Sequence, residues 1–294
     1  MSTRTLIECT DATWNVVTGC EKISAGCKNC YAERHWRRLS KNAATLYFNR
    51  SFDDVKAHAD RLSLPLHWRK PRLVFVNSMS DLFHPDVPFT FIHRVWSKMM
   101  FAHQHFYQIL TKRPENALAF FRWNSSLPLQ QRIQPYCRHI WLGVSVESQP
   151  MADLRIPCLL ELPIAVRWLS VEPLLSPIAL TPYLTVRQGE PPEPIAICAK
   201  CSGPDRARDK PHSIHWVVIG GETGPRARPC HVDWIRGVLE QCRTAHVPVF
   251  TRHLGSRAIW DEEGCTVLLP KSIRTAHNRE RWPKGLNVSE YPAY

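Results

Sequence analysis

Short apolar runs ending in small or charged residues, separated by amphipathic stretches, recur along this chain, and that rhythm constrains its fold more than any other feature. Residues 72–77, 106–110, 139–147, 166–173, 215–224 and 247–252 are short and rich in β-branched or aromatic side chains, as buried strands are. Between them lie segments of helical spacing. Ile92, Val95, Trp96, Met99 and Met100 form one stripe, and Trp234, Ile235, Val238, Leu239 and Cys242 form another within 233–245. Pro114 opens a further helix at a position where its missing N–H costs little. Strands alternating with helices predict a parallel sheet, because parallel neighbours need a crossover connection. The expected fold is therefore α/β, a partial or complete TIM-like barrel, in which chemistry gathers at the carboxyl ends of the strands.

Those ends carry a pattern of their own. Asp81, Glu147, Glu172 and Glu222 each come shortly after an apolar run, and Ser145, Ser170 or Gly220-Gly221 precede three of them. A single carboxylate there is ordinarily a helix cap or a salt-bridge partner. Four in register predict a shared mouth.

A second constellation lies near the start. Cys20, Cys27 and Cys30 fall within eleven residues, and the Cys27-x-x-Cys30 spacing lets two sulfurs face one centre across a loop that Gly19 and Gly26 make pliable. Residues 1–8 lack the apolar run of a signal peptide, so a reducing, cytoplasmic setting is expected, where clustered thiols mean metal or redox chemistry more often than disulfides. Eleven cysteines, an odd number, fit no fully paired framework. No stretch approaches the roughly 18–20 apolar residues of a membrane span.

Charge adds a partner class. With 38 Lys and Arg against 26 Asp and Glu, the net charge of +12 points to a polyanion, nucleic acid first. The predicted helix over 31–41 sets Arg34, Arg37, Arg38 and Lys41 apart from Tyr31, Ala32, His35, Trp36 and Leu39, either to present cations to phosphate or as a solvated face. The whole chain reads as one domain with an inserted excursion at about 181–213 and a basic extension at about 270–294. The excursion holds Cys198 and Cys201, half of a possible zinc site that His212 and His215 are conceivable residues to complete. The extension carries Lys271, Arg274, Arg279, Arg281 and Lys284, which either touch a polyanion or form a simple basic tail.

Together, Trp14-Asn15-x-x-Thr18-Gly19-Cys20, Gly26-Cys27-Lys28-Asn29-Cys30-Tyr31-Ala32-Glu33, Phe75 to His84, Leu110-Thr111-Lys112-Arg113-Pro114, Trp141 to Glu147 and Gly220-Gly221-Glu222 resemble a family of phage and bacterial proteins of unknown function. That family is similar to the radical SAM (S-adenosylmethionine) enzymes, and the resemblance spans roughly residues 14–255. It implies a barrel of the radical SAM type in which Cys20, Cys27 and Cys30 hold three irons of a [4Fe-4S] cluster, leaving the fourth open to S-adenosylmethionine. Reductive cleavage would then give a 5′-deoxyadenosyl radical that modifies or repairs a nucleic acid or nucleotide-type substrate. Asn77, Ser78, Asp81, Ser145 and Glu147 are the implied cofactor-binding residues. Lys112, Arg113, Glu172 and Glu222 remain for catalysis, on the substrate or on the sulfonium's carboxylate. An electron-donor protein and a partner encoded nearby are also implied. Six residues separate Cys20 from Cys27, where these enzymes mostly leave three, and Gly220-Gly221-Glu222 lies on a late strand rather than after the second. The alternative is a non-catalytic nucleic-acid-binding protein whose three cysteines, with Cys9 or His35, close around zinc.

Overall fold

The computed structural model describes residues 9–184, 213–262, 265–274 and 276–292. Seven strands form one sheet: β1 (Ala12–Trp14), β2 (Leu73–Val76), β3 (Phe106–Thr111), β4 (Ile140–Ser145), β5 (Val166–Val171), β6 (Trp216–Gly220) and β7 (Val249–His253). Every pairing is parallel, and the strands lie side by side in chain order. A doubly wound sheet reverses its order at a switch point. This one never does, so successive crossovers wind one way and the sheet curls into an open half-barrel.

The two faces follow from the period of two along each strand. Val74, Val76, Ile109, Leu142, Val144, Leu169, Val171, Val217 and Ile219 belong to one large core with the inward stripes of the helices. These are α2 (Phe89–Phe101), α3 (Pro114–Ser126), α4 (Gln149–Glu161) and α5 (Val232–Thr244), whereas α1 (Tyr31–Leu39) packs Ala32 and Trp36 against Tyr47 and Met79 in a separate cluster. The intervening strand residues Trp141, Trp168, Trp216, Val218 and Phe250 form the concave interior. Trp216 lies 5.5 Å from Trp168 and 5.9 Å from Trp141 between ring centroids, and Tyr291 stacks on it at 5.6 Å. Towards the carboxyl ends the interior residues shrink to Gly143, Ser145 and Ser170. A Cβ on Gly143 would come within 2.6 Å of the Trp168 ring. Bulky rings thus fill the lower interior while small residues leave the upper part hollow.

The exposed edge of β7 is covered by the chain's own end. Thr251 N–H donates to Val288 O at 2.9 Å and Glu290 N–H to Val249 O at 3.0 Å, which removes a free strand edge. Arg279 lies across the Phe250 and Trp282 rings and donates to Thr251 O, so its charge serves this edge rather than a solvated tail. A short antiparallel pair, β8 (Ala258–Glu262) and β9 (Cys265–Leu268), follows β7. Between β5 and β6 the described chain holds one helical turn, Thr181–Leu184. Among the described residues no helix is long and apolar enough to cross a membrane.

Candidate functional site

The three cysteines sit on a loop that crosses the carboxyl ends of the strands. Gly19 starts it with φ of +95°, and a Cβ there would lie 2.3 Å from Asp54 O, so only glycine fits. Cys20 is then fixed by its N–H to Phe52 O at 2.8 Å. A single 3₁₀ turn, Ala25–Cys27, follows, and Cys30 precedes α1 and accepts the Arg34 N–H at 3.1 Å. All three side chains line one cavity, whose other walls include Asn77, Ser78, Lys112 and Ser145.

The sulfurs are not all within 4.8 Å of one another. Tetrahedral zinc with Zn–S bonds of about 2.3 Å needs sulfurs about 3.8 Å apart. Neither Cys9 nor His35 brings them into such a set. Burial and the Asp81 charge push the Cys20 thiol up to about 11 against the pull of Arg113, so a metal bound there at neutral pH would displace a proton.

The four strand-end carboxylates do reach one end of the half-barrel, but each arrives with its own arginine. Glu147 pairs with Arg155 at 2.9 Å, Asp81 with Arg113 at 3.3 Å, Glu172 with Arg252 at 2.9 Å and Glu222 with Arg228 at 2.6 Å. The mouth is therefore not an acidic ring.

Three of these pairs hold backbone. Glu147, fully buried, accepts the Gly26 N–H at 3.1 Å with one oxygen and Arg155 with the other, pinning the cysteine loop to β4. A Cβ on Gly26 would lie 2.9 Å from the Glu147 carboxyl carbon, which explains glycine there. Burial alone would raise Glu147, yet hydrogen bonds from Ser24 and Gly26 and the charges of Arg155 and Lys112 hold it below the usual carboxylate range. Asp81 accepts from Phe83 N–H, Thr111 Oγ1, Lys112 N–H and Arg113, and so fixes the turn after β3. Arg113, buried in turn, reaches Glu21 O at 3.3 Å and lies 3.7 Å from Cys20 Sγ. Glu222 binds Arg228 through its side chain and N–H, and Asn29 of the cysteine loop at 3.0 Å.

A family described as "Protein of unknown function (DUF5131)" matches residues 4–289. The chain belongs to this family. No curated protein and no solved structure matches it.

In this DUF5131 chain the cleft itself is walled by Cys27, Cys30, Tyr31, Lys112, Ser145, Glu172 and Arg252, over an apolar floor of Phe75, Leu110, Trp168 and Val218, and measures about 900 Å³ with its open mouth included. Lys112 Nζ donates to Ser145 Oγ at 3.0 Å, and no carboxylate among the described residues pairs with it. Asn77 adopts φ of +62° and its Oδ1 accepts from both Val16 and Val17 N–H at 3.0 Å, while its Nδ2 is buried with no partner among the described residues. Ser78 donates to Asn15 Oδ1 at 3.1 Å, and its carbonyl accepts from the Tyr31 hydroxyl. Cys198, Cys201 and His212 lie outside the described residues. His215 sits at the far, amino end of β6, where its Nδ1 accepts the Arg167 N–H at 3.2 Å.

Arg252 and Tyr31 are cleft residues that strand-end carboxylates do not reveal, and His253 backs Glu172 beside them. For Arg252 the signal is present, since it ends the last predicted strand, and His253 follows it directly. Glu172 Oε1 lies 3.1 Å from His253 Nε2. Burial opposes ionisation of Glu172, and Arg252 and His253 overcome it, holding the carboxyl down to about 2. Because its folded value lies below the usual 4.5, Glu172 stabilises the fold above about pH 4.5, and that contribution disappears as pH falls towards 2. Urea melts across that window are expected to lose roughly 3 kcal/mol through this group. In Glu172→Gln the acid-induced loss should be smaller by that amount, and an unchanged pH slope would contradict the assignment.

Proposed function

We propose that this chain is a radical SAM-like enzyme, with a [4Fe-4S] cluster on Cys20, Cys27 and Cys30 and S-adenosylmethionine in the adjoining cleft, acting on a nucleic acid or nucleotide-type substrate. The observation that carries this reading is the convergence of three thiols on one cavity whose other walls offer polar groups, Asn77, Ser78, Lys112 and Ser145. When bound, such a cluster supplies one-electron cleavage of the sulfonium to a 5′-deoxyadenosyl radical.

The residues divide into two kinds. Glu147 with Arg155, Asp81 with Arg113, and Glu222 with Arg228 and Asn29 fix the loop and the β3 turn. Lys112 is suited to the cofactor's carboxylate, since it lines the cleft and, among the described residues, its ammonium hydrogen-bonds only the Ser145 hydroxyl. Asn77 is suited to an acceptor in the same cavity through its unpartnered Nδ2, and Ser78 and Ser145 supply smaller polar walls. Glu172, kept ionised by Arg252 and His253, lies on the same cleft and is suited to orienting substrate. The tryptophan floor excludes water from below, as reactive radicals require. Such chemistry belongs in a reducing compartment such as the cytoplasm and needs an electron donor.

Anaerobic reconstitution with iron and sulfide, then reduction with S-adenosylmethionine, tests this. The expected result is an oxygen-sensitive cluster absorbance and release of 5′-deoxyadenosine, both lost in Cys27→Ala. A stoichiometric zinc ion with no cluster formed under those conditions would overturn it.

A further inference from the structure

Beside the cleft lies a second, strongly basic cavity. Lys28, Arg34, Arg37 and Arg226 line it, all four exposed, against a single carboxylate, Glu33. That carboxylate is already shared by Lys22 at 2.7 Å and Arg37 at 3.5 Å. Arg34 is laid over Gly224. Its Nη1 donates to Thr223 O at 3.0 Å, and Gly224 has φ of +110°, where a Cβ would sit 1.7 Å from that nitrogen. The shelf and the cleft also share a wall, since Asn29, Cys30 and Thr223 line both. An anion on the shelf is thus beside the opening that the cysteines face.

We propose that this shelf holds the phosphate backbone of a nucleic acid strand, and that the strand delivers one nucleoside into the adjoining cleft. Four exposed cations around one cavity, against one carboxylate that is already paired, suit a polyanion. Phe75 in the cleft's apolar lining and the exposed Tyr31 offer ring faces for a base turned out of its stack. This deepens the enzymatic reading by making the substrate a polymer rather than a free nucleotide. That the polymer is a substrate rests on the reading above, whereas its binding does not.

Fluorescence anisotropy with a labelled strand of about 12 nucleotides, within the span of such grooves, reads the binding directly on the full chain, with or without cluster. Single-stranded DNA, the same sequence as RNA, and a duplex form the arms. Binding of at least one is expected. In the triple variant Lys28→Ala, Arg37→Ala, Arg226→Ala the salt slope should fall by about 2 and the affinity by roughly tenfold or more. The double variant Arg94→Ala, Arg122→Ala removes exposed charge from α2 and α3 and should leave the slope intact. No binding in any arm, an equal loss in the double variant, or a nucleoside monophosphate competing as well as the strand would each overturn the proposal. If strands bind at the shelf but no 5′-deoxyadenosine forms, the enzymatic reading fails and this one stands.

Discussion

Arg155→Met is expected to cost about 3–5 kcal/mol of stability, on the order of 10 °C in Tm. The arginine's side chain is 2% exposed and its partner Glu147 is wholly buried, so the variant strands a carboxylate in the interior beneath the cysteine loop. The guanidinium also donates to Ser145 O at 2.8 Å, which leaves a second group unsatisfied. Replacing both partners with apolar residues, Glu147→Leu with Arg155→Met, removes the stranded charge and should recover much of the Tm. It should not recover metal loading, because the Gly26 N–H then has no acceptor and the loop no anchor on β4. Thermal melts and iron per chain after reconstitution separate the two effects. A single variant that melts like the parent would show that this pair is not what ties the loop to the sheet.

That anchoring role was invisible in the sequence for a definite reason. The carboxylates were marked by position, each after an apolar run, but the arginines that claim them stand 8, 32, 80 and 6 residues away, for Glu147, Asp81, Glu172 and Glu222 in turn. Strand-end logic finds what points to the mouth and says nothing of what arrives there from a neighbouring turn. Six strands and the inward stripes of α2 and α5 were legible because burial imposes a strict period on them. β1 was not, since three residues carry too little pattern, and it is recognisable only through its register with β2. α4 was missed because Pro150 and Pro157 break its pattern. Pro150 falls in the first turn, where no donor is lost, and Pro157 is tolerated inside a helix that Ala152, Ile156 and Leu159 bury against the sheet. The tryptophans of the floor were visible as hydrophobes, but only the curl of the sheet brings Trp141, Trp168 and Trp216 together.

Asp81→Asn should damage both the fold and the proposed cluster site. The aspartate receives four hydrogen bonds, two of them from the Lys112 N–H and the Arg113 guanidinium, on the single oxygen Oδ2. An amide set to keep the Phe83 and Thr111 bonds turns its own NH₂ towards those two donors and removes the charge that Arg113, 4% exposed, is buried against. Leaving that guanidinium unpaired costs about 3 kcal/mol. Arg113 also bridges Glu21 O and the Cys20 sulfur, so its release frees the end of the loop that the Glu147 anchor does not reach. Iron loading should therefore fall in Asp81→Asn even at temperatures where circular dichroism reports a folded chain. Thr111→Val, which removes one donor to Asp81 and one acceptor for the Arg113 N–H, should cost only about 1–2 kcal/mol and keep the iron. If Asp81→Asn loads iron like the parent while Thr111→Val does not, the turn is held by its hydroxyl, and the Asp81–Arg113 pair does not position Cys20.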